Sequence, residues 1–191
     1  MKLGRIQRRH RRRFEKLDLI AERIREMATR GRMVVELDLP REIEYPLQSG
    51  QALPRRPRIF YAKVDEAPRI DDIPWCTTLV VSHKVRDIMM DIDGRHLRSY
   101  PVRLDRSVGV SYCVIHCQRI LTCHDRTKVK YHSNSVRDLF VIDPTRVPKN
   151  AHIFHPRYYK TWFLVSDVVK AALLDAKCTG GVFYRSNQDG S

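Results

Sequence analysis

The sequence predicts an α+β protein built on a mixed, largely antiparallel sheet. Two observations carry that expectation. LVVSHKVRDIMMDIDG at 79–94 and FLVSDVVKAALLDAKC at 163–178 align without a gap, each running from a short apolar stretch through a serine into a helical face. Between them lie two β segments, Val110 to Leu121 and Leu139 to Ile142. The chain of 191 residues fits one core, since a domain of this size buries about 70 % of its unfolded surface without help from metal or disulfide.

The first element is a basic amphipathic helix. Residues 5–30 lack proline and place Phe14, Leu17, Ile20, Ile24 and Met27 at steps of three and four, one stripe of a helix that Gly31 can end. That stripe can dock on the body or on a second copy, so a homodimer is open. Residues 1–32 carry twelve Lys and Arg against four acids, and thus +8 of the net charge of +14. The organisation expected is this helix at 1–32 followed by an α+β domain at 33–191.

From Met33 to Asp72 the prolines Pro40, Pro46, Pro54, Pro57 and Pro68 interrupt the pattern. A loop-rich connection is expected there, containing one or two edge strands, with short extended candidates at Val34 to Leu37 and Arg58 to Val64, because proline cannot donate to a central ladder. Leu79 to Val81 then reads as a strand, Ser82 as an N-cap, and Val85, Ile88, Met89 and Ile92 as a buried helical face. Gly94 would stop that helix in the left-handed conformation, and Ser99 to Leu104 would return as a strand. The second unit repeats this: a strand at Thr161 to Val165, Ser166 as the cap, Val169, Ala172, Leu173 and Ala176 as the face, then a last strand at Val182 to Arg185. Helices should pack mainly on one face of the sheet. Thr122 to Arg137 reads as a long polar hairpin or loop.

Trp75 ahead of LVVSHKVRDIM, PVRL at 101–104, YCVIHCQRI at 112–120, LFVIDPTRVPKNAHIF at 139–154 and FLVSDVVKAALLDAKCTGGVFY at 163–184 occur in an order and spacing that resembles an immunity-protein family of bacterial polymorphic toxin systems, the myxobacterial-type immunity domain. The resemblance covers roughly residues 74–186 and leaves the N-terminal third without a counterpart. It implies an inhibitor that neutralises a cognate toxin by binding, with no catalytic residue to carry over.

The residues taken on their own point the same way. Cys113, His116, Cys117, Cys123 and His124 are the densest metal-capable set, but none of their spacings gives the tight ligand pairs that zinc uses, so buried thiols are expected and no metal. On a strand, Cys113, Ile115 and Cys117 share one face and His116 takes the other. No cysteine precedes a glycine-rich turn or a helix start that would activate it, and Cys178 falls at a helix end, where the dipole opposes a thiolate. Asp91, Asp93 and Gly94 lack the further ligands of a calcium loop. No cofactor is implied.

Binding residues are expected in two places. Arg8, Arg9, Arg11, Arg12 and Arg13 form a cationic cluster suited to an acidic toxin surface, and Tyr158 and Tyr159 stand in an aromatic segment with His155 and Trp162. The alternative for the arginine cluster is weak nucleic-acid binding through phosphates, although no RNP motif, helix-turn-helix or zinc finger supports it. The charged N-terminus lacks the apolar stretch of a secretory signal and no run spans a membrane, so a cytoplasmic protein is expected.

Overall fold

The computed structural model describes residues 33–54, 59–64, 70–74, 76–106, 109–125, 127, 141–157, 163–181 and 183. In chain order these form β1 (Val35–Leu37), α1 (Arg41–Ser49), β2 (Phe60–Val64), β3 (Val80–Ser82), α2 (His83–Asp93), β4 (Leu97–Leu104), β5 (Tyr112–Cys117), β6 (Ile120–Leu121), β7 (Ile153–Pro156), β8 (Leu164–Val165) and α3 (Asp167–Asp175). The fold is α+β, as the sequence implies. The N-terminal helix, the domain boundary after residue 32 and most of the last predicted strand lie outside the described residues; Phe183, which is described, is in no strand.

The expected single sheet is two. Five strands in the order β1-β2-β4-β5-β3 form the larger, and β6-β7-β8 form the smaller. Pairing is mixed: β2 with β4 and β6 with β7 are parallel, and the other neighbours are antiparallel. The predicted strand from Val110 to Leu121 breaks at Gln118 and Arg119, where the chain leaves one sheet for the other. Of Leu139 to Ile142, the described part reduces to a bridge of Ile142 with His124.

Strand β5 is central because its two faces feed two cores. Cys113, Ile115 and Cys117 meet Val81 of β3, Leu97 of β4, Val85 and Met89 of α2, and Val169 and Leu173 of α3. Tyr112 and Val114 point the other way, onto Val35, Phe60 and Ala62 of the sheet and Ile43 and Leu47 of α1. Two helices therefore cover one face and one covers the other, and α2 and α3 also pack against each other. Complete burial of each large side chain such as Ile115 or Leu97 stabilises the fold by about 1.5–3 kcal/mol. Cys123, Ile142, Ala151 and Phe154 make a third, smaller cluster beside β7.

Helix α1 stands where a proline-broken connection was expected. Pro40 precedes it in extended backbone, Glu42 and Glu44 sit in its first turn, and Pro46 lies inside it. The acids suit the positive end of the helix dipole. Ile43 and Leu47, one turn apart, are its buried face, and the burial of that face offsets the hydrogen bond that Pro46 cannot donate. Gly50 closes the helix at φ 69°, its N–H returning to the Pro46 carbonyl. A Cβ there would lie 2.7 Å from the Cys117 carbonyl oxygen, so the position requires glycine on two counts.

Two further expectations need correction. Strand β2 lies between β1 and β4 rather than at an edge; its five residues contain no proline, so nothing prevents a two-sided ladder. Gly94 is right-handed, at φ −63° and ψ −19°, because the chain runs on through a 3-10 turn, Gly94–His96, directly into β4. The first strand-cap-helix-strand unit is complete as β3-α2-β4, and the second is present as β8-α3.

Candidate functional site

Ser82 and Ser166 are the caps predicted. Ser82 Oγ accepts the Val85 N–H at 3.4 Å and Ser166 Oγ accepts that of Val169 at 3.5 Å. Each serine is also held from outside its helix. Ser82 Oγ donates to Asp72 Oδ1 at 2.7 Å, and Ser166 Oγ lies 3.0 Å from His152 Nδ1. The caps are thus joints between elements as well as helix starts.

Asp72 extends the first joint to the C-terminal part of the chain. Its carboxylate accepts the Thr179 N–H at 3.1 Å, its own N–H donates to Thr179 Oγ1 at 3.1 Å, and Lys84 Nζ stands 3.8 Å away. The neighbouring Asp71 is buried; its carboxylate accepts the Met33 N–H at 3.1 Å and its carbonyl accepts the Tyr112 hydroxyl at 2.6 Å. Burial first, then the charges of Asp72 and Asp71, push the Tyr112 phenol up to about 12. Gly180, at φ 87°, passes so close that a Cβ would sit 2.6 Å from Asp71 Cβ.

At the other end of α2, Asp93 is a second joint. Its Oδ2 accepts from Arg119 Nη1 and from the backbone N–H groups of His152 and Ile153, both at 2.9 Å. Arg119 Nη1 also donates to the Asn150 carbonyl at 3.2 Å. A carboxylate at a helix C-terminus opposes the dipole; here it is retained by three convergent donors. Asp93 drew attention in the sequence only as part of a failed calcium motif, and nothing local pairs it with Arg119. Asp72 and Thr179 were likewise invisible.

The cysteines are thiols, buried at Cys113, Cys117 and Cys123 and half-buried at Cys76 and Cys178. Desolvation raises the pKa of all five, Cys117 to about 11, which disfavours thiolate nucleophiles. Among the described residues no group of three or more His, Cys, Asp or Glu is placed to hold a metal ion. His116, on the β5 face opposite Cys117 as predicted, is fully buried, and among the described residues its ring nitrogens have no hydrogen bond of full geometry, the Gln51 backbone being the polar group that approaches them. Burial lowers its pKa, the Gln51 backbone opposes that shift, and the charges of His155 and Arg98 add to it.

Arg8, Arg9, Arg11, Arg12, Arg13, Tyr158 and Tyr159 lie outside the described residues. Two surfaces that sequence reasoning missed are open. On the sheet face away from α1, Glu36, Tyr61, Lys63, Pro101 and Arg103 are exposed, Glu36 directly opposite Lys63 and Tyr61 opposite Arg103. On α3, Val168 and Leu174 are more than half exposed, one on each flank of the buried stripe of Val169 and Leu173. Among the described residues no helix is long and apolar enough to cross a membrane.

A family model described as "Immunity protein family (Imm11)" matches residues 5–188. The match agrees with the family type the sequence resembles and corrects its extent: it begins at residue 5, so the arginine-rich segment falls within the matched span rather than apart from it. No curated protein matches the chain.

Proposed function

The chain belongs to the Imm11 immunity protein family, and from that premise we propose that it binds one cognate bacterial toxin and neutralises it by covering a surface the toxin needs, with no catalysis of its own. The observation that carries this reading is the match across nearly the whole chain, residues 5–188. The chemistry of the described side chains is in keeping with it: thiols with raised pKa values, and carboxylates at Asp72 and Asp93 engaged in joining elements. A net charge of +14 suits an acidic partner, since complementary charge speeds encounter. In this reading Arg8, Arg9, Arg11, Arg12 and Arg13 steer the approach, and Tyr158 and Tyr159 are contact residues of the kind enriched at interfaces. The complex forms in the cytoplasm, where the toxin would otherwise act on its own producer or its kin.

Co-expression with the toxin encoded beside its gene tests this directly. Cells carrying both should grow, and cells carrying the toxin alone should die. Equal killing with and without this chain would end the proposal.

A further inference from the structure

The geometry points to one end of the molecule as the toxin-binding surface: the place where the end of α1, the start of β4, the β5–β6 connection and the end of β7 meet, fitted to an acidic protein face. This rests on the immunity reading above and names the surface that reading leaves open.

Four segments converge there. Gln118 N–H donates to the His96 carbonyl at 2.8 Å, and Arg98 lies opposite His116 in the ladder. Ile120 lies opposite His155, whose N–H donates to the Arg119 carbonyl at 2.8 Å. Gly50 closes the group, with its missing Cβ position 3.1 Å from Ile120 Cγ1 and 3.2 Å from His155 Cδ2. The exposed residues of these segments are Gln51, Arg95, Arg98, Gln118, Ile120 and Arg157.

Their charge is of one sign for a reason visible in the sequence. No acid occurs between Glu44 and Asp65, between Asp93 and Asp105, between Asp105 and Asp125, or between Asp143 and Asp167, and all four converging segments come from those acid-free stretches. Arg119 is already committed to Asp93. Arg95, Arg98 and Arg157 have no ion pair among the described residues; Arg98 Nη1 donates to the Leu97 carbonyl at 2.7 Å, which leaves its other N–H groups and the guanidinium groups of Arg95 and Arg157 for contacts with carboxylates. Ile120, 38 % exposed, supplies an apolar contact among them. Arginine around a desolvated apolar contact is the composition of an interface hot spot.

The support beneath is closely packed: His116 and His155 are buried under this surface, and the Gly50 turn leaves no room for a side chain. Packing of this kind reduces the conformational freedom that the guanidinium groups would lose on binding.

The test measures binding of the full chain to an inactivated form of the toxin domain encoded beside it, at physiological ionic strength. R98E/R157E should weaken binding about a hundredfold, while K63E/K177E, two exposed lysines elsewhere, should stay within about threefold, as rim or remote charges do. R98Q/R157Q, checked for folding by circular dichroism, should give a smaller loss and a flatter salt dependence. If the wild-type chain binds the toxin and both Arg98/Arg157 variants bind equally well, this surface is wrong and the immunity reading stands. If the wild-type chain neither binds nor protects, the immunity reading itself has failed and the surface falls with it. Loss of single-stranded RNA binding in R98E/R157E with toxin affinity intact would reassign the surface to nucleic acid and overturn the inference.

Discussion

Asp93 and Arg119 form a buried ion pair that ties the last turn of α2 to the connection between the two sheets. Their side chains are 6 % and 12 % exposed, and the same carboxylate oxygen also holds the chain at His152 and Ile153, where β7 begins. Replacing Asp93 by alanine strands a guanidinium and two N–H groups together. Denaturant unfolding should show a loss of about 3 kcal/mol or more, with a smaller loss for Asp93→Asn, which keeps one oxygen acceptor. A cost under about 1 kcal/mol for Asp93→Ala would show that water replaces the carboxylate without penalty.

The two caps should differ in their effect on stability. Ser166→Ala removes a cap and one contact with a half-exposed histidine, at a cost of about 1 kcal/mol. Ser82→Ala removes a cap and also a part-buried hydrogen bond to Asp72, and should cost about 2 kcal/mol. Equal unfolding midpoints for the two variants would mean that the Asp72 contact adds nothing.

His116 should make the protein less stable in mild acid. Its pKa is lowered in the folded state, by burial first and then by the charges of His155 and Arg98, against the opposing Gln51 backbone. The unfolded chain therefore takes up a proton that the folded chain refuses. The stability contribution is complete above the unfolded histidine value of about 6.5 and is lost as pH falls below it, at no more than about 1.4 kcal/mol per pH unit. His116→Leu should flatten this slope. Parallel stability profiles for wild type and variant between neutral and mildly acidic pH would refute it.

Thiol chemistry should follow burial. Under native conditions a thiol reagent should reach Cys76 and Cys178 before Cys113, Cys117 and Cys123, which should react only on unfolding. Protein purified without chelator should hold far less than one zinc per chain, and toxin binding should survive dialysis against a chelator. Stoichiometric zinc would contradict the structural reading of these thiols.

Removal of residues 1–13 should slow toxin association at low salt and flatten its salt dependence, with dissociation nearly unchanged. The cut spares the apolar stripe from Phe14 onward, so the loss is of charge rather than of core. A hundredfold faster dissociation, equivalent to about 2.7 kcal/mol, would make the arginine segment a primary recognition element instead.

What could be read from the sequence was local. Ser82 and Ser166 each precede apolar residues at helical spacing, and both became caps. The alternation of Cys113, Ile115 and Cys117 against His116 correctly assigned the two sides of β5. Helix α1 was hidden because its stability comes from the core under Ile43 and Leu47 and not from its own propensity, which Pro46 lowers. The division into two sheets turns on Gln118 and Arg119, which look like any polar pair in a strand. The proposed binding surface was illegible for a further reason: its acid-free segments are each unremarked in isolation, and only the fold adds their charges together.

The clasp of Asp72 with Thr179 spans 107 residues of sequence. It has a consequence for synthesis. On the ribosome, α2 can form and meet β4 and β5, but Asp72 and the cap it supports stay incomplete until Thr179 has cleared the exit tunnel. The half-made antidote would expose the core that α3 covers, and chains cut short before residue 179 should be poor folders and ready substrates for proteolysis. If the chain acts as the proposed antidote, protection would follow the number of finished chains, and premature termination would remove antidote outright instead of leaving a weaker form of it.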